Sequence, residues 1–330
     1  MSMLNKDAKL LETLFDKDIE KKSTRDGFGT AVVDAGKENK DIVVLSADLK
    51  ESTRADWFEK EFPERFIEVG IGEQNMATLA AGFALAGKIP FITSYAAFSP
   101  GRNYEQIRTT AALNDVPVKI MGMHAGVSVG PDGATHQMLE DIALMRAMPN
   151  MIVLNPCDAE EGRKATLSAV ANGKPTYIRF GRSNVPVFTT KDTPFAEGKA
   201  LVLWKSEKPK VALLGTGSMS YNALVAARAL EAEGIGSIVL HNPSIKPLDE
   251  AAILEAAKAA GKVVTVEEHQ VAGGFGGAVA ELLSKKHPVH IERLGIQDEF
   301  GQSGEPDELI EHYGLGPSFI AETARRMLKV

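Results

Sequence analysis

Short apolar runs alternate along the chain with longer segments of mixed polarity. "DIVVLSAD" (41–48) is a nearly unbroken β-rich run, the pattern of a strand covered on both faces. "MATLAAGFALAG" then predicts a buried helix rich in Ala and Gly, and "KIPFITSY" (88–95) the next strand. A helix through "YEQIRTTAALN", a strand at "VPVKIMGM", a helix over "QMLEDIALMRAM", a strand at "NMIVLNP", a helix over "AEEGRKATLSAVAN" and a strand at "PTYIRFGR" continue the series. Strands separated by helix-length segments predict a parallel sheet covered by helices.

After Arg182 the pattern lapses into "SNVPVFTTKDTPFAEGKALVLWKSEKPK", where Pro and charge accumulate without periodicity, as in a connection between domains. Alternation resumes with "VALLGTGS", a helix over "YNALVAARALEAEG", "SIVLHN", a helix near 249–260, "KVVTVEEH", a helix opened by "GGFGG" and "VHIERLG". The expected fold class is α/β with two domains, each a mainly parallel sheet covered by helices. The expected division is an N-terminal extension at 1–22, a first domain at 23–186, a linker at 187–208 and a second domain at 209–330.

The length of 330 residues suits two domains, and 44% hydrophobic with 25% charged residues suits two ordinary cores. A net charge of −7 gives no footprint for nucleic acid or an anionic membrane. No run approaches the roughly 18 apolar residues of a membrane span, and the polar start lacks a secretory core, so a cytoplasmic location is expected. The single cysteine, Cys157, fits a reducing compartment and reads as a small buried residue.

Candidate chemistry gathers where the first domain's strands end. Glu73 is a lone acid at the mouth of an apolar segment, where a helix dipole alone would favour it. "HAGVSVGPDGATHQ" (124–137) follows a strand and is too Gly-rich to be an element, so it is expected as a flexible loop at the carboxyl edge of a sheet. It holds His124, Asp132 and His136, and imidazoles there suit proton transfer or an oxygen-rich ligand. No Cys or third His lies at ligand spacing, so no metal is expected on these side chains. "GTGS" (215–218) fails the full dinucleotide pattern, and "GGFGG" (273–277) reads as a tight strand-to-helix turn before a phosphate cradle.

"GIGEQNMATLAAG", "SYAAF", "HAGVSVGPDGATHQMLEDIALMRAMPN" and "IRFGRSN", in this order, resemble the pyrimidine-binding and C-terminal domains of transketolase. The resemblance runs from about Ser23 to near the C-terminus, and no GDG metal-and-diphosphate motif is present in the chain. It therefore implies the C-terminal subunit of a split transketolase, active only with a GDG-carrying N-terminal subunit and assembled as α2β2. It also implies thiamine diphosphate, with Mg²⁺ or Ca²⁺ held by that partner, and sugar phosphates as substrates.

Glu73 would match the catalytic glutamate that hydrogen-bonds the cofactor's aminopyrimidine, and Phe98 the aromatic residue packed on that ring, with Tyr95 beside it. His136 would face the donor's hydroxyls as a catalytic group, and His124 and Asp132 the sugar. Arg25, Ser52 and Arg182 would recognise the terminal phosphate, since a planar guanidinium suits it. Asp48 would organise the boundary between the two subunits. "SPGRNYEQIR" after Phe98 is one residue longer than the family's usual pattern. 1-Deoxy-D-xylulose-5-phosphate synthase shares the loop type and is the main alternative, with the separate β subunits of decarboxylating thiamine-diphosphate enzymes more distant, followed by a scaffold or regulatory subunit that keeps only the fold.

Overall fold

The computed structural model describes residues 3–329. Its first half opens with β1 (Lys21–Ser23), α1 (Thr24–Glu38), β2 (Ile42–Ser46), α2 (Lys50–Thr53), α3 (Ala55–Glu61), β3 (Phe66–Glu68) and α4 (Glu73–Leu85). It continues through β4 (Ile89–Tyr95), α5 (Tyr104–Gln106), β5 (Lys119–Met123), α6 (Asp141–Arg146), β6 (Ile152–Leu154), α7 (Ala159–Ala171), β7 (Thr176–Arg179) and β8 (Asn184–Pro186). All five residues of β2 are buried, and they alternate between two cores. Ile42 and Val44 pack with Phe28, Phe58 and Ala165 of α1, α3 and α7, whereas Val43 and Leu45 pack with Met76 and Ala80 of α4. That two-sided burial is the physical reason for the unbroken apolar run.

Helix α1, not among the elements expected from the sequence, contains three glycines, Gly27, Gly29 and Gly36. A β-carbon on Gly27 would overlap the carbonyl oxygen of Ala159, and one on Gly162 would lie 2.7 Å from that of Thr24. The glycines let α1 and α7 touch backbone to backbone. The helix expected over 137–148 is only Asp141–Arg146. Its first residues are drawn into the preceding loop instead: Gly126 N–H donates to Met138 O (2.9 Å), and the Gln137 amide donates to Val127 O and Gln302 O (both 3.0 Å). Tertiary hydrogen bonds there outweigh helical ones.

The second half comprises β9 (Leu201–Lys205), β10 (Val211–Gly215), α8 (Met219–Ala232), β11 (Ser237–His241), β12 (Ser244–Lys246), α9 (Glu250–Ala260), β13 (Lys262–Gln270), α10 (Phe275–Lys286), β14 (His290–Ile296), α11 (Pro306–His312) and α12 (Pro317–Leu328). Five strands pair in the order β14-β13-β10-β11-β9, with only β9 antiparallel. The aperiodic stretch 187–208 thus carries an edge strand, and Asn5 and Leu14 tie the N-terminal segment to this half through Leu203 O and the Tyr221 hydroxyl.

The first sheet has the order β12-β6-β7-β5-β4-β2-β3, so its outermost strand, antiparallel to β6, comes from the second half of the chain. One apolar cluster runs from Leu45 and Met76 to Leu214 and Phe275, across both sheets. Glu161 of α7 and His241 of β11, both buried, meet at 2.7 Å. Burial pushes the Glu161 carboxyl up, but the charge and hydrogen bond of His241 outweigh it and hold the group below its usual range. Among the described residues no helix is long and apolar enough to cross a membrane.

Candidate active site

The carboxyl ends of β2, β3, β4, β5 and β7 deliver almost every candidate residue to one edge of the first sheet. Asp48 and Ser52 follow β2, Glu73 follows β3, Tyr95 ends β4 with Phe98 just beyond, His124, Asp132 and His136 follow β5, Arg182 follows β7, and Arg25 opens α1 beside them. Ligands of open α/β sheets bind at this edge.

Rings form the centre of the cleft. Tyr95 stacks on His124 at 3.8 Å between ring centres and lies nearly parallel to Phe98 at 5.7 Å. His136 meets Tyr95 and Phe98 edge-on at 5.9 and 5.4 Å. The loop expected to be flexible is packed from His124 to Gly130, and the glutamate Glu268 of β13 accepts a hydrogen bond from Ser128 N–H within it (2.6 Å).

Arg25 and His124 are coupled. Arg25 Nη1 donates to Ser52 O (2.7 Å) and to His124 Nε2 (3.2 Å), which assigns the imidazole proton to Nδ1. Burial first, then the charges of Arg25 and Arg182, drives the His124 pKa down to about 2, so the ring is neutral. Burial and the neighbouring Arg54 lower Arg25 to about 10, where it remains a cation at neutral pH. Arg182 Nη1 donates to Val129 O (3.0 Å). A cavity of about 370 Å³ lies between Arg25 and Arg182 on one side and Glu305 and Asp307 of the second half on the other. Two guanidinium groups there can take an anion.

Glu73 is the first residue of α4 and only 4% exposed. Its Oε1 accepts from Arg102 Nη1 (2.9 Å), and its backbone carbonyl accepts from Asn103 Nδ2 (3.0 Å). Arg102 and Asn103 escaped the motif reading, although both sit in the lengthened stretch after Phe98. Asp48 and Asp132 are exposed, and neither side chain forms a hydrogen bond or ion pair with the other candidates among the described residues. Ser52 contributes its carbonyl oxygen, since its hydroxyl donates to none of them.

The glycine-rich turn "GGFGG" is filled from within. Glu267 accepts from Phe275 N–H (2.6 Å) and Gly276 N–H (2.8 Å), so its own carboxyl takes the place of a phosphate at the start of α10. Cys157 is buried, and its thiol lies with Glu161 and His241 in one group whose ligand atoms are within 4.8 Å of one another. Glu161 Oε2 is engaged there by Cys157 N–H and His241 Nε2 (both 2.7 Å), and His241 Nδ1 by Ser220 (2.6 Å). Hydrogen bonds satisfy this group as a link between the halves.

The family of transketolase pyrimidine-binding domains matches residues 20–187, and that of transketolase C-terminal domains matches residues 198–320. A relative from Methanocaldococcus jannaschii is 41% identical over 93% of this chain and 97% of its own. An apulose-4-phosphate transketolase subunit from Phocaeicola vulgatus is 38% identical over 92% of this chain and 97% of its own. A solved split-gene transketolase, described as an inactive beta4 tetramer, superimposes with a TM-score of 0.86 at 44% identity, covering 93% of this chain and 98% of that one. Longer relatives match over about half their length, among them the 1-deoxy-D-xylulose-5-phosphate synthase of Syntrophus aciditrophicus, 37% identical over 92% of this chain and 47% of its own. The chain belongs to the transketolase family and carries its pyrimidine-binding and C-terminal domains.

Proposed function

We propose that this chain is one subunit of a thiamine-diphosphate-dependent transketolase, moving a two-carbon ketol unit from a ketose phosphate to an aldose phosphate. A separate subunit carrying the diphosphate-binding domain and the metal ligands completes the site, in an α2β2 assembly. The observation that carries the reading is Glu73, a buried carboxyl at a helix start in the same cleft as Phe98.

The residues fit the cofactor's pyrimidine ring. Glu73 offers the carboxyl for its ring nitrogen and Phe98 a flat apolar surface, and Asn103 Oδ1, on the residue that holds the Glu73 backbone, is a buried polar atom without a protein partner. When bound, thiamine diphosphate supplies the carbon nucleophile and electron sink that ketose cleavage needs. Glu73 then holds or releases a proton at the ring nitrogen. His136, partly exposed at the rim of the ring cluster, serves the donor's hydroxyls. Neutral His124 offers its Nδ1 proton to the sugar. Arg25 and Arg182 grip the terminal phosphate, and Tyr95 keeps His124 and Phe98 in register.

Reconstitution tests this. The chain, its diphosphate-binding partner, Mg²⁺ and thiamine diphosphate should convert xylulose 5-phosphate and ribose 5-phosphate to sedoheptulose 7-phosphate, and the chain alone should not. Glu73→Gln should lower the rate by about 10²–10⁴ with an unchanged circular dichroism spectrum. Product formation that survives Glu73→Ala would sink the mechanism. The likeness to the synthase favours one competing reading, so pyruvate with glyceraldehyde 3-phosphate is the control: product from that pair alone would move the assignment there.

A further inference from the structure

The turn after Phe98 folds back on itself. Gly101 N–H donates to Ala96 O (3.2 Å) and Arg102 N–H to Phe98 O (3.0 Å), which closes a helical turn and brings residue 102 over residue 98. A side chain at 101 would prevent the bend, because its β-carbon would overlap the Ala97 carbonyl oxygen. The guanidinium carbon of Arg102 consequently lies 4.1 Å from the Phe98 ring centre, while Nη1 donates to Glu73 Oε1 at 2.9 Å. The neighbouring rings stand further from Phe98, His136 at 5.4 Å and Tyr95 at 5.7 Å.

These are the two contacts that the proposed function gives to the aminopyrimidine, stacking on Phe98 and a hydrogen bond to Glu73. A guanidinium is itself a flat group with N–H donors in its plane, so it can make both at once. We propose that Arg102 is a displaceable stand-in for the cofactor's pyrimidine ring, which must be moved aside before the ring can seat. The inference rests on the cofactor reading of Glu73 and Phe98.

The rest of the geometry decides which partner moves. The Arg102 side chain is 49% exposed and that of Glu73 4%, so the arginine has solvent to swing into. Asn103 holds Glu73 through its backbone carbonyl and is itself fixed by Ser99 Oγ (3.1 Å). Glu73 therefore keeps its place when Arg102 leaves. An arginine seated nine times in ten would weaken the apparent cofactor affinity about tenfold, because only the remainder is competent to bind.

The test is a calorimetric titration of thiamine diphosphate into the full chain complexed with its diphosphate-binding partner and Mg²⁺. Arg102→Ala should bind about tenfold more tightly than wild type, and Arg102→Lys should fall between them, keeping the charge but not the plane. Phe98→Ala should bind more weakly. Melting curves of each chain confirm folding. Unchanged or weaker binding by Arg102→Ala, with wild type and Phe98→Ala behaving as stated, overturns the stand-in and leaves the cofactor reading intact. No binding by the wild-type complex overturns both.

Discussion

His124 holds a left-handed backbone, φ 55°, directly after β5, and Asp48 (φ 58°) and Arg54 (φ 67°) do so after β2. Non-glycine residues there carry about 1 kcal/mol or more of strain, which the surrounding packing must offset, and such strain concentrates where a side chain has to be aimed. For His124 the aim is the face of Tyr95. A histidine in the unfolded chain titrates near 6.5, whereas His124 in the fold takes a proton only near pH 2. The unfolded chain therefore binds the extra proton first, and stability is lost as pH falls below about 6.5, on the order of 1 kcal/mol per pH unit. Urea unfolding between pH 6.5 and 4.5 should show wild type losing stability faster than His124→Asn. Equal slopes would mean that His124 charges within the fold.

At the scale of elements, the pairing of α1 with α7 determines where Arg25 stands, because Arg25 opens α1. Gly27→Ala should force the two helices apart and destabilise the chain by about 1–3 kcal/mol in chemical denaturation. Gly82, in α4, has nothing within 4 Å of its would-be β-carbon. The same substitution there should stabilise by about 0.5–1 kcal/mol, through helix propensity and a less disordered unfolded chain. A shared sign for the two variants would refute the packing account of α1. The glycines also explain why this helix is hard to read: Phe28, Ala31, Val32 and Ala35 keep the helical spacing, but three of the eight buried positions are glycine and only Phe28 and Val32 carry large apolar side chains.

Taken whole, the two halves are tied together at several places. The returning strand β12, the continuous core and the Glu161–His241 link all cross between halves that look independent along the chain. Trp57 lies on α3 and Trp204 on β9, so each half has its own fluorophore. Trp57→Phe and Trp204→Phe variants should report a single common unfolding midpoint. Glu161→Ala strands a buried histidine and should lower stability by about 3–5 kcal/mol as seen by both probes. Two separated midpoints would show that the halves unfold independently.

Local sequence determined the alternation of strands and helices, because a strand buried on both faces must be apolar throughout, as in β2, and a helix between strands must bury one side. It also determined that Phe98, His124, His136 and Arg182 follow strands, since the apolar runs before them end where the backbone leaves the sheet, whereas β3, the short strand before Glu73, is seen only in the structure. Only the tertiary structure decided which of these side chains meet. Tyr95 against His124, Arg25 on His124, and Asp132 left in solvent depend on loops that are far apart in the chain and fold against one another. The same holds for β9 and β12, whose short sequences become strands only because an edge is waiting for them. Arg102 is the sharpest case: its motif shows one extra residue after Phe98, but only the folded turn puts its guanidinium against both Phe98 and Glu73.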